Sequence, residues 1–421
     1  MLKADFLIFK AQVLTCSSLG KPKKGGEMRQ IGLINDGAVA IRNERIISVG
    51  NSEEVCRKVR ATETLDAQGK VLLPGFVECH THLVFAGDRL DEFEAKIMGA
   101  SYLQIMAEGG GILSTVRKTR KATTQELIST GKKRLDKIMS LGTTTCEIKT
   151  GYGLETDTEM RMLQAIVELD RNHLIEVIPT FMPAHAIPPE FAQKPNEYVD
   201  LICEEMLPKA RVYLTDNLPG KPFFADVFCE KNAFNTIQSE KILKKAKEFG
   251  FRLKAHVDEF TNLGGTKMAI LLGATSVDHL DKISDQEITL LAESSTIGVI
   301  TPAVNFNLGS TEFANARKMI DKGCAIAIST DYNPGSSPCL SMPLAIAIAC
   351  RYQKLLPCEA INAATINAAF ALGLGEKVGS IEVGKQADMV LFDTRDYREI
   401  AYEFGSNLVE KVFKKGKVVI G

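Results

Sequence analysis

Apolar runs and segments of helical spacing alternate along the middle of the chain, from about residue 71 to residue 375. Eight of the runs have the length and composition of β-strands: 72–83, 143–149, 173–181, 224–229, 251–256, 275–279, 296–300 and 325–330. Between them, segments such as 258–272, 283–293 and 312–322 repeat apolar residues at the interval of a helix. Strands that alternate with helices predict parallel pairing, and eight such units predict an α/β fold of the (β/α)8 TIM-like barrel type.

Both ends of the chain show a different pattern, in which short alternating strands are separated by turns. Segments 4–9, 37–42 and 45–49 are strand-like, and Asn43 suits the turn of a hairpin. Near the other end, 389–392 and 412–413 are strand-like, and 418–420 follows a Lys-Lys-Gly-Lys turn. We therefore predict a small discontinuous β-sandwich domain formed by both chain ends. The predicted domains are 1–70 and 376–421 for the sandwich, with the barrel at 71–375.

Composition changes this picture only by excluding classes of partner. The chain has 421 residues and a formal net charge of -1, which favours neither nucleic acid nor a membrane surface as a partner. Lys3, Asp5 and Lys10 interrupt the apolar start, so a signal peptide is not expected. Ten scattered cysteines without a CxxC pair argue against disulfides and against a cysteine zinc site. We expect a soluble cytoplasmic protein that acts on a small molecule.

The histidines carry the strongest chemical signal. There are only six in the chain, and five of them fall at or just beyond the ends of predicted strands. These five are His80, His82, His185, His256 and His279. The sixth, His173, has the sequence context of an ordinary surface residue. Active sites of barrel enzymes lie where the strands end, so this placement favours a shared site over isolated core histidines.

A metal site is the simplest chemistry for this cluster. His80 and His82 are two apart on a strand and point to the same face, so both imidazoles can reach one ion. With His256 and Asp331 they form a ligand set that suits Zn²⁺ or Fe²⁺. Such an ion lowers the pKa of bound water to about 7. Each residue taken alone could be a buried, hydrogen-bonded core residue or a capping group, and for a single histidine this is the commoner case.

One predicted ligand and two groups beside it are candidates for proton transfer. Asp331 could accept the proton of the attacking water, and His279 could help orient that water. Glu259, three residues after His256, is placed to pass a proton to a leaving nitrogen. The sequence does not separate the base from the orienting group.

Two further segments are candidate substrate loops. Tyr152 lies between glycines in Gly-Tyr-Gly-Leu at 151–154, which could equally be an ordinary turn with an exposed tyrosine. Arg89 follows the first predicted strand and could bind a carboxylate through two hydrogen bonds, although a solvated arginine is the commoner case.

The assembled pattern resembles the amidohydrolase superfamily, which combines an HxH after the first barrel strand with later His and Asp ligands and a split β-sandwich. From about residue 70 to residue 390 the chain is similar to the imidazolonepropionase family within it. The motifs that carry this similarity are Gly-Gly-Gly-Ile-Leu-Ser-Thr-Val-Arg-Lys-Thr-Arg at 109–120, Gly-Tyr-Gly-Leu-Glu at 151–155, Phe-Met-Pro-Ala-His-Ala-Ile-Pro-Pro-Glu at 181–190 and Asp-Tyr-Asn-Pro-Gly-Ser-Ser-Pro at 331–338.

The resemblance implies hydrolysis of the cyclic amide of 4-imidazolone-5-propanoate to N-formimidoyl-L-glutamate, a step of histidine degradation. It implies one Zn or Fe ion per chain and a homodimer. The implied metal ligands are His80, His82, His256 and Asp331. The implied catalytic groups are Glu259, His279, Asp331 and His185. The implied substrate contacts are Arg89, Tyr152, His185, Glu259, Asn333, Gly335 and Ser336, with Tyr102 as a further candidate.

Three alternatives remain open at this point. A deaminase of a heterocycle such as guanine or cytosine would share the histidines and acids, and would differ mainly in the substrate loops. A non-catalytic scaffold of the same fold would be expected to lack metal ligands, whereas every candidate ligand is present here. A carbamylated Lys149 that bridges two metals is the third alternative, and it fits poorly because the resemblance is to the type with one metal.

Overall fold

The computed structural model describes residues 1–100 and 109–421. Its strands are β1 (Leu2–Leu14), β2 (Leu33–Arg42), β3 (Arg45–Asn51), β4 (Val59–Asp66), β5 (Val71–Pro74), β6 (Phe76–Glu78), β7 (Thr143–Lys149), β8 (Glu176–Ala184), β9 (Phe224–Cys229), β10 (Arg252–Val257), β11 (Ser276–His279), β12 (Ile297–Ile300), β13 (Ile326–Ile328), β14 (Met389–Phe392), β15 (Val409–Lys414) and β16 (Lys417–Ile420).

Helices separate most of these strands. The α-helices span Ser52–Lys58, Leu90–Ile97, Ile112–Lys121, Thr124–Ser140, Thr156–Asn172, Pro195–Leu201, Leu207–Asn217, Thr236–Glu248, Gly265–Leu272, Asp285–Glu293, Pro302–Asn307, Ala316–Asp321, Met342–Tyr352, Pro357–Asn362, Ala368–Ala371 and Glu399–Tyr402. Two π-helical turns, Ile202–Met206 and Ala363–Asn367, continue helices of this set.

Eight parallel strands form the barrel. They lie in the order β6 to β13, and each pairs in parallel with the next. The ring closes just beyond the first and last of these strands. There Thr81 forms a parallel bridge with Tyr332, and the backbone N–H of His82 donates to the carbonyl of Tyr332 at 2.9 Å. The predicted (β/α)8 barrel is therefore confirmed.

The helix Thr124–Ser140 shows how local sequence builds the outer layer. It begins at a capping box in which Thr123 Oγ1 accepts from the N–H of Glu126 while the Glu126 carboxylate accepts from the N–H of Thr123. Leu127, Leu135 and Ile138 fall on one helical face and are buried in the main core. Burying each such side chain stabilises the fold by about 1.5–3 kcal/mol.

The second sheet is made from both ends of the chain. Its order is β16-β15-β14-β5-β1-β2-β3, with β4 paired to β1. The sheet curls over on itself. This is seen in the rings of Phe6 on β1 and Phe413 on β15, whose centroids are 5.9 Å apart although two strands separate β1 from β15. A bridge between Arg45, at the start of the edge strand β3, and Gln386, just before β14, closes this curl. The predicted sandwich of both chain ends is confirmed.

The strand predicted over 72–83 is wrong, because two separate strands occupy its first part. β5 pairs with β1 and β14 in the terminal sheet, whereas β6 pairs with β7 in the barrel. Gly75 lies between them, and a β-carbon there would come within 2.2 Å of Thr144 Oγ1. A larger residue would not fit where the chain passes from one sheet to the other. The domain boundaries at 70 and 375 stay a prediction.

Among the described residues, no helix is long and apolar enough to cross a bilayer. All ten cysteines are free, and six of them are buried, which agrees with their interpretation as reduced interior residues.

Candidate metal centre

The four predicted metal ligands lie together at the carboxyl ends of the barrel strands. His80 and His82 follow β6, His256 lies in β10, and Asp331 follows β13. His82 Nε2 and His256 Nε2 are 3.2 Å apart, and Asp331 Oδ1 lies 3.3 Å from His80 Nε2 and 3.7 Å from His82 Nε2. All four side chains are buried. Four ligand atoms from strands far apart in the sequence thus converge on one point.

Two carboxylates hold the imidazoles in the form that binds metal. His80 Nδ1 donates to Asp278 Oδ2 at 2.6 Å, and His256 Nδ1 donates to Asp226 Oδ1 at 3.1 Å. Because each Nδ1 carries the proton, each Nε2 is left with a lone pair directed away from its carboxylate. Burial is the main reason that the pKa of His80 lies well below its usual value, which keeps this ring neutral.

The buried polar atoms at this point fit a cation. Among the described residues, His80 Nε2, His279 Nε2 and Asp331 Oδ1 are buried and have no hydrogen-bond partner. An unpaired buried polar atom costs about 1–3 kcal/mol, so several at one point call for a common partner. One nitrogen each of His80, His82 and His256 lie within 4.8 Å of one another. This group of histidine and aspartate atoms could therefore bind a metal.

His279 and Glu259 extend the centre on one side. His279 ends β11, and its Nδ1 is 3.1 Å from Thr301 Oγ1. Its Nε2 is 3.9 Å from Glu259 Oε2, and it lies within 4.8 Å of ligand atoms of His80 and Asp331. The backbone of His279 has φ = +83°, and that of Asp331 has φ = +51°. Such strained conformations concentrate at functional sites.

The surroundings of the Glu259 carboxyl group favour its protonated form. Its side chain is 10% exposed. Burial, followed by the negative charges of Asp331, Asp281 and Glu230, raises its pKa well above the usual value. A carboxyl group with such a pKa can donate a proton near neutral pH.

His185 and Tyr152 form an aromatic wall beside the ligands. The ring of His185 stacks on that of His82, with centroids 4.5 Å apart and planes 12° apart. Tyr152 is buried with its ring 5.3 Å from His185. His185 Nδ1 donates to the carbonyl of Gly151 at 3.1 Å, and burial lowers its pKa to about 3. His185 is therefore neutral, and its Nε2 is a hydrogen-bond acceptor.

The loop that carries Tyr152 depends on Gly151 and on a buried acid that sequence reasoning missed. Gly151 has φ = +107°, and a β-carbon there would lie 2.8 Å from the carbonyl oxygen of Met182. The Glu159 carboxylate accepts from the backbone N–H groups of Gly151, Gly153 and Leu154 at 2.7–3.0 Å. The glycines in the sequence pointed to a tight turn, but the distant carboxylate had no local signal.

Arg89 lies against the loop that follows Asp331. Its Nε donates to Thr115 Oγ1 at 2.9 Å, and a β-carbon on Gly335 would lie 2.1 Å from its Nη1. Any larger residue at 335 would displace the guanidinium. The structure thus brings Arg89 and Gly335 together, as the predicted substrate pocket requires.

Asn333 organises that same loop. Its Oδ1 accepts from the N–H groups of Gly335 and Ser336 at 2.8 Å, and its Nδ2 donates to the Asp331 carbonyl and to Ser336 Oγ. Both the oxygen and the nitrogen of its side-chain amide therefore form hydrogen bonds within the loop. Substrate contact by Asn333 and Ser336 stays a prediction, while their role in shaping the loop is visible.

Beneath the predicted ligands lies a layer of five buried charges that sequence reasoning missed in part. We call it the charged floor: Glu147, Lys149, Asp226, Lys254 and Asp278. Lys149 Nζ is 2.7 Å from Asp226 Oδ2 and 3.0 Å from Glu147 Oε1, and Lys254 Nζ is 3.0 Å from Glu147 Oε2. Charged residues inside otherwise apolar strands were the available signal. Lys149 forms ion pairs with two carboxylates, which is the arrangement expected of an unmodified, protonated lysine.

The predictions for His173, as a surface residue, and for Tyr102, as a pocket residue, remain to be compared with the structure. The prediction that His173 is a surface residue is wrong, because its side chain is only 3% exposed, with Nε2 3.1 Å from Asp136 Oδ1. Tyr102 lies outside the described residues.

Comparison with known proteins identifies the family. The imidazolonepropionase of Chloroflexus aggregans is 51% identical over 424 residues, which cover 100% of this chain and 99% of that protein. The chain belongs to the imidazolonepropionase family. The imidazolonepropionase of Herpetosiphon aurantiacus is 50% identical over 399 residues, covering 94% of this chain and 93% of that protein.

Broader comparisons agree with membership of the imidazolonepropionase family. The Amidohydrolase family profile matches residues 225–419. A crystal structure of an adenosine deaminase from Xanthomonas campestris with bound zinc superposes with a TM-score of 0.74 at 20% identity, covering 100% of this chain and 93% of that one. At this identity the likeness shows the fold alone. Members of the amidohydrolase superfamily are metal-dependent, and the histidine–aspartate group agrees with that property.

Proposed function

We propose that the protein hydrolyses the cyclic amide of 4-imidazolone-5-propanoate to N-formimidoyl-L-glutamate, a step of histidine degradation. Its full-length relatives carry the name of this activity. The observation that carries the proposal for this chain is the convergence of the unpaired, buried His80 Nε2 and Asp331 Oδ1 with the Nε2 atoms of His82 and His256.

The proposed cofactor is one Zn²⁺ or Fe ion per chain, held by His80, His82, His256 and Asp331. Imidazole nitrogens with one carboxylate oxygen suit either ion. When bound, such an ion supplies Lewis acidity and lowers the pKa of a water ligand to about 7.

We assign the proton transfers to Asp331, His279 and Glu259. Asp331 and His279 are assigned to the proton of the attacking water, because their ligand atoms lie within 4.8 Å of each other and of His80. His279, fixed through Nδ1 by Thr301, orients that water. Glu259, whose pKa is raised by burial, donates to the ring nitrogen as the C–N bond breaks.

His185 acts in binding and not as the proton donor in this scheme. Its Nδ1 proton is engaged by the Gly151 carbonyl, and its low pKa leaves Nε2 as an acceptor. That acceptor suits an N–H of the imidazolone ring, whose flat face Tyr152 can cover.

The propionate group of the substrate is assigned to Arg89. Thr115 and the close approach of Gly335 hold its guanidinium in place. A guanidinium in a fixed orientation binds a carboxylate through two parallel hydrogen bonds. Asn333, Gly335 and Ser336 complete the pocket through their loop.

Following the imidazolone chromophore with the purified protein tests this function. We expect its absorbance to fall only when metal is present, with N-formimidoyl-L-glutamate as the product. Guanine and cytosine serve as controls for the deaminase alternative. Ammonia release from either base, with imidazolone propionate left intact, would overturn the assignment.

Three further properties are proposals, the first from the family and the other two from the sequence pattern. We infer a homodimer, a cytoplasmic location and the domain limits 1–70, 71–375 and 376–421, with β5 (Val71–Pro74) as the part of the middle segment that pairs in the terminal sheet. Sedimentation, fractionation and limited proteolysis, respectively, test them.

A further inference from the structure

We propose that Lys149 and Lys254 of the charged floor are positioning residues for the metal centre. Each lysine supports a carboxylate that in turn holds one metal-binding imidazole. The inference rests on the proposed metal site and deepens it by naming two residues that contact neither metal nor substrate.

Lys254 holds His80 by two routes. Its Nζ donates to the carbonyl of Cys79 at 2.5 Å, which fixes the backbone directly before His80. The same Nζ lies 3.7 Å from Asp278 Oδ2, the oxygen that accepts from His80 Nδ1 at 2.6 Å. The position of the backbone and the orientation of the imidazole therefore both depend on one ammonium group.

Lys149 holds His256 in a matching way. Its Nζ donates to Asp226 Oδ2 at 2.7 Å, while Asp226 Oδ1 accepts from both the backbone N–H and the Nδ1 of His256. Glu147 joins the two halves, because its two oxygens lie 3.0 Å from Lys149 Nζ and from Lys254 Nζ. The floor is thus one connected layer under two ligands.

The burial of this layer argues for a role beyond packing. All five side chains have no exposed surface. Buried ion pairs often contribute little net stability, and apolar side chains of similar size can replace them without loss. Outer partners that orient metal ligands, in contrast, change metal affinity by about 10- to 100-fold when they are removed.

The test is zinc affinity of full-length variants, measured by competition with a chromogenic chelator. We expect Lys149→Met and Lys254→Met each to weaken zinc binding by about 10- to 100-fold. The control is Lys414→Met, because Lys414 is also buried, pairs with Asp388 at 2.6 Å and donates to a backbone carbonyl, but lies in the terminal sheet. This control should lose stability and keep the zinc affinity of the parent.

Folded Lys149→Met and Lys254→Met proteins that bind zinc as tightly as the parent would overturn the proposal. If neither lysine variant folds, Glu147→Gln replaces them, since it is nearly isosteric and faces both lysines. Its zinc affinity should fall as well, and a parental value would equally overturn the proposal. Zinc binding needs no substrate. A parent that binds zinc and leaves imidazolone propionate intact would therefore refute the proposed reaction and not the positioning role.

Discussion

Replacing Glu259 by glutamine isolates the proposed proton donor from the metal ligands. The side chain keeps its size, and the neutral amide resembles the protonated carboxyl group that the raised pKa of Glu259 implies. The imidazole proposed to act beside it is that of His279, whose Nε2 lies 3.9 Å from Glu259 Oε2. The substitution therefore removes the transferable proton and leaves the shape of the pocket.

The expected loss of activity in Glu259→Gln follows from the burial of the Glu259 side chain. General acid catalysis contributes about 10²- to 10⁴-fold to a rate. Because Glu259 is only 10% exposed, bulk water has little access to replace it as a donor. We therefore expect kcat to fall by about 10³-fold, or about 4 kcal/mol of transition-state stabilisation. KM and metal content should change little.

The assay combines turnover of imidazolone propionate with metal analysis of the same preparation. Glu197→Gln is the matched control, because its side chain is 61% exposed on the surface, and it should retain full activity. A Glu259→Gln protein with its metal and near-normal turnover would refute the assignment. Loss of metal together with turnover would instead show that Glu259 supports the ligand set.

Three other perturbations have defined outcomes. His256→Ala and Asp331→Ala should lose metal and turnover together, checked by elemental analysis, and retention of stoichiometric metal would contradict the ligand assignment. Arg89→Lys should raise KM by about 10-fold or more with a smaller change in kcat, since one ammonium replaces a two-bonded contact. Burial raises the pKa of Asp258 from 3.8 to about 7, so the folded protein keeps a proton that the unfolded chain releases. This contribution is complete below about pH 4 and is lost as the pH rises through 7. The free energy of unfolding of the parent, measured by urea titration, should therefore fall by up to about 4 kcal/mol over that range relative to that of Asp258→Asn. The same pH dependence in both proteins would refute this prediction.

The strands of the barrel could be predicted because they are buried on both faces. Such strands are continuous apolar runs, and β7 and β9 have the predicted limits. The break at Gly75 had a sequence signal in the dipeptide Pro74-Gly75, which is typical of turns, but the equally apolar residues on both sides favoured one continuous strand. The helix expected over 258–272 spans only Gly265–Leu272 because Asp258, with φ = +55°, begins a loop.

The ligands were predictable because histidine is rare in this chain and strand ends are where barrel sites lie. The residues that orient them were not. Asp226 and Asp278 lie inside strands, where their sequence context resembles that of any buried acid. The period of two places Lys254 and His256 on one face of β10, but only the closed barrel shows that Asp278 and Glu147 meet that lysine.

The seam of the barrel has a consequence for how the protein is made. The bridge between Thr81 and Tyr332 joins the first and last strands, and His80 and Asp331 adjoin it from either side. A chain emerging from the ribosome carries His80, His82 and His256 long before it carries Asp331. The proposed ion would therefore gain its full ligand set only after the last strand has docked. It would then bridge the two sides of the seam and oppose the reopening of the ring.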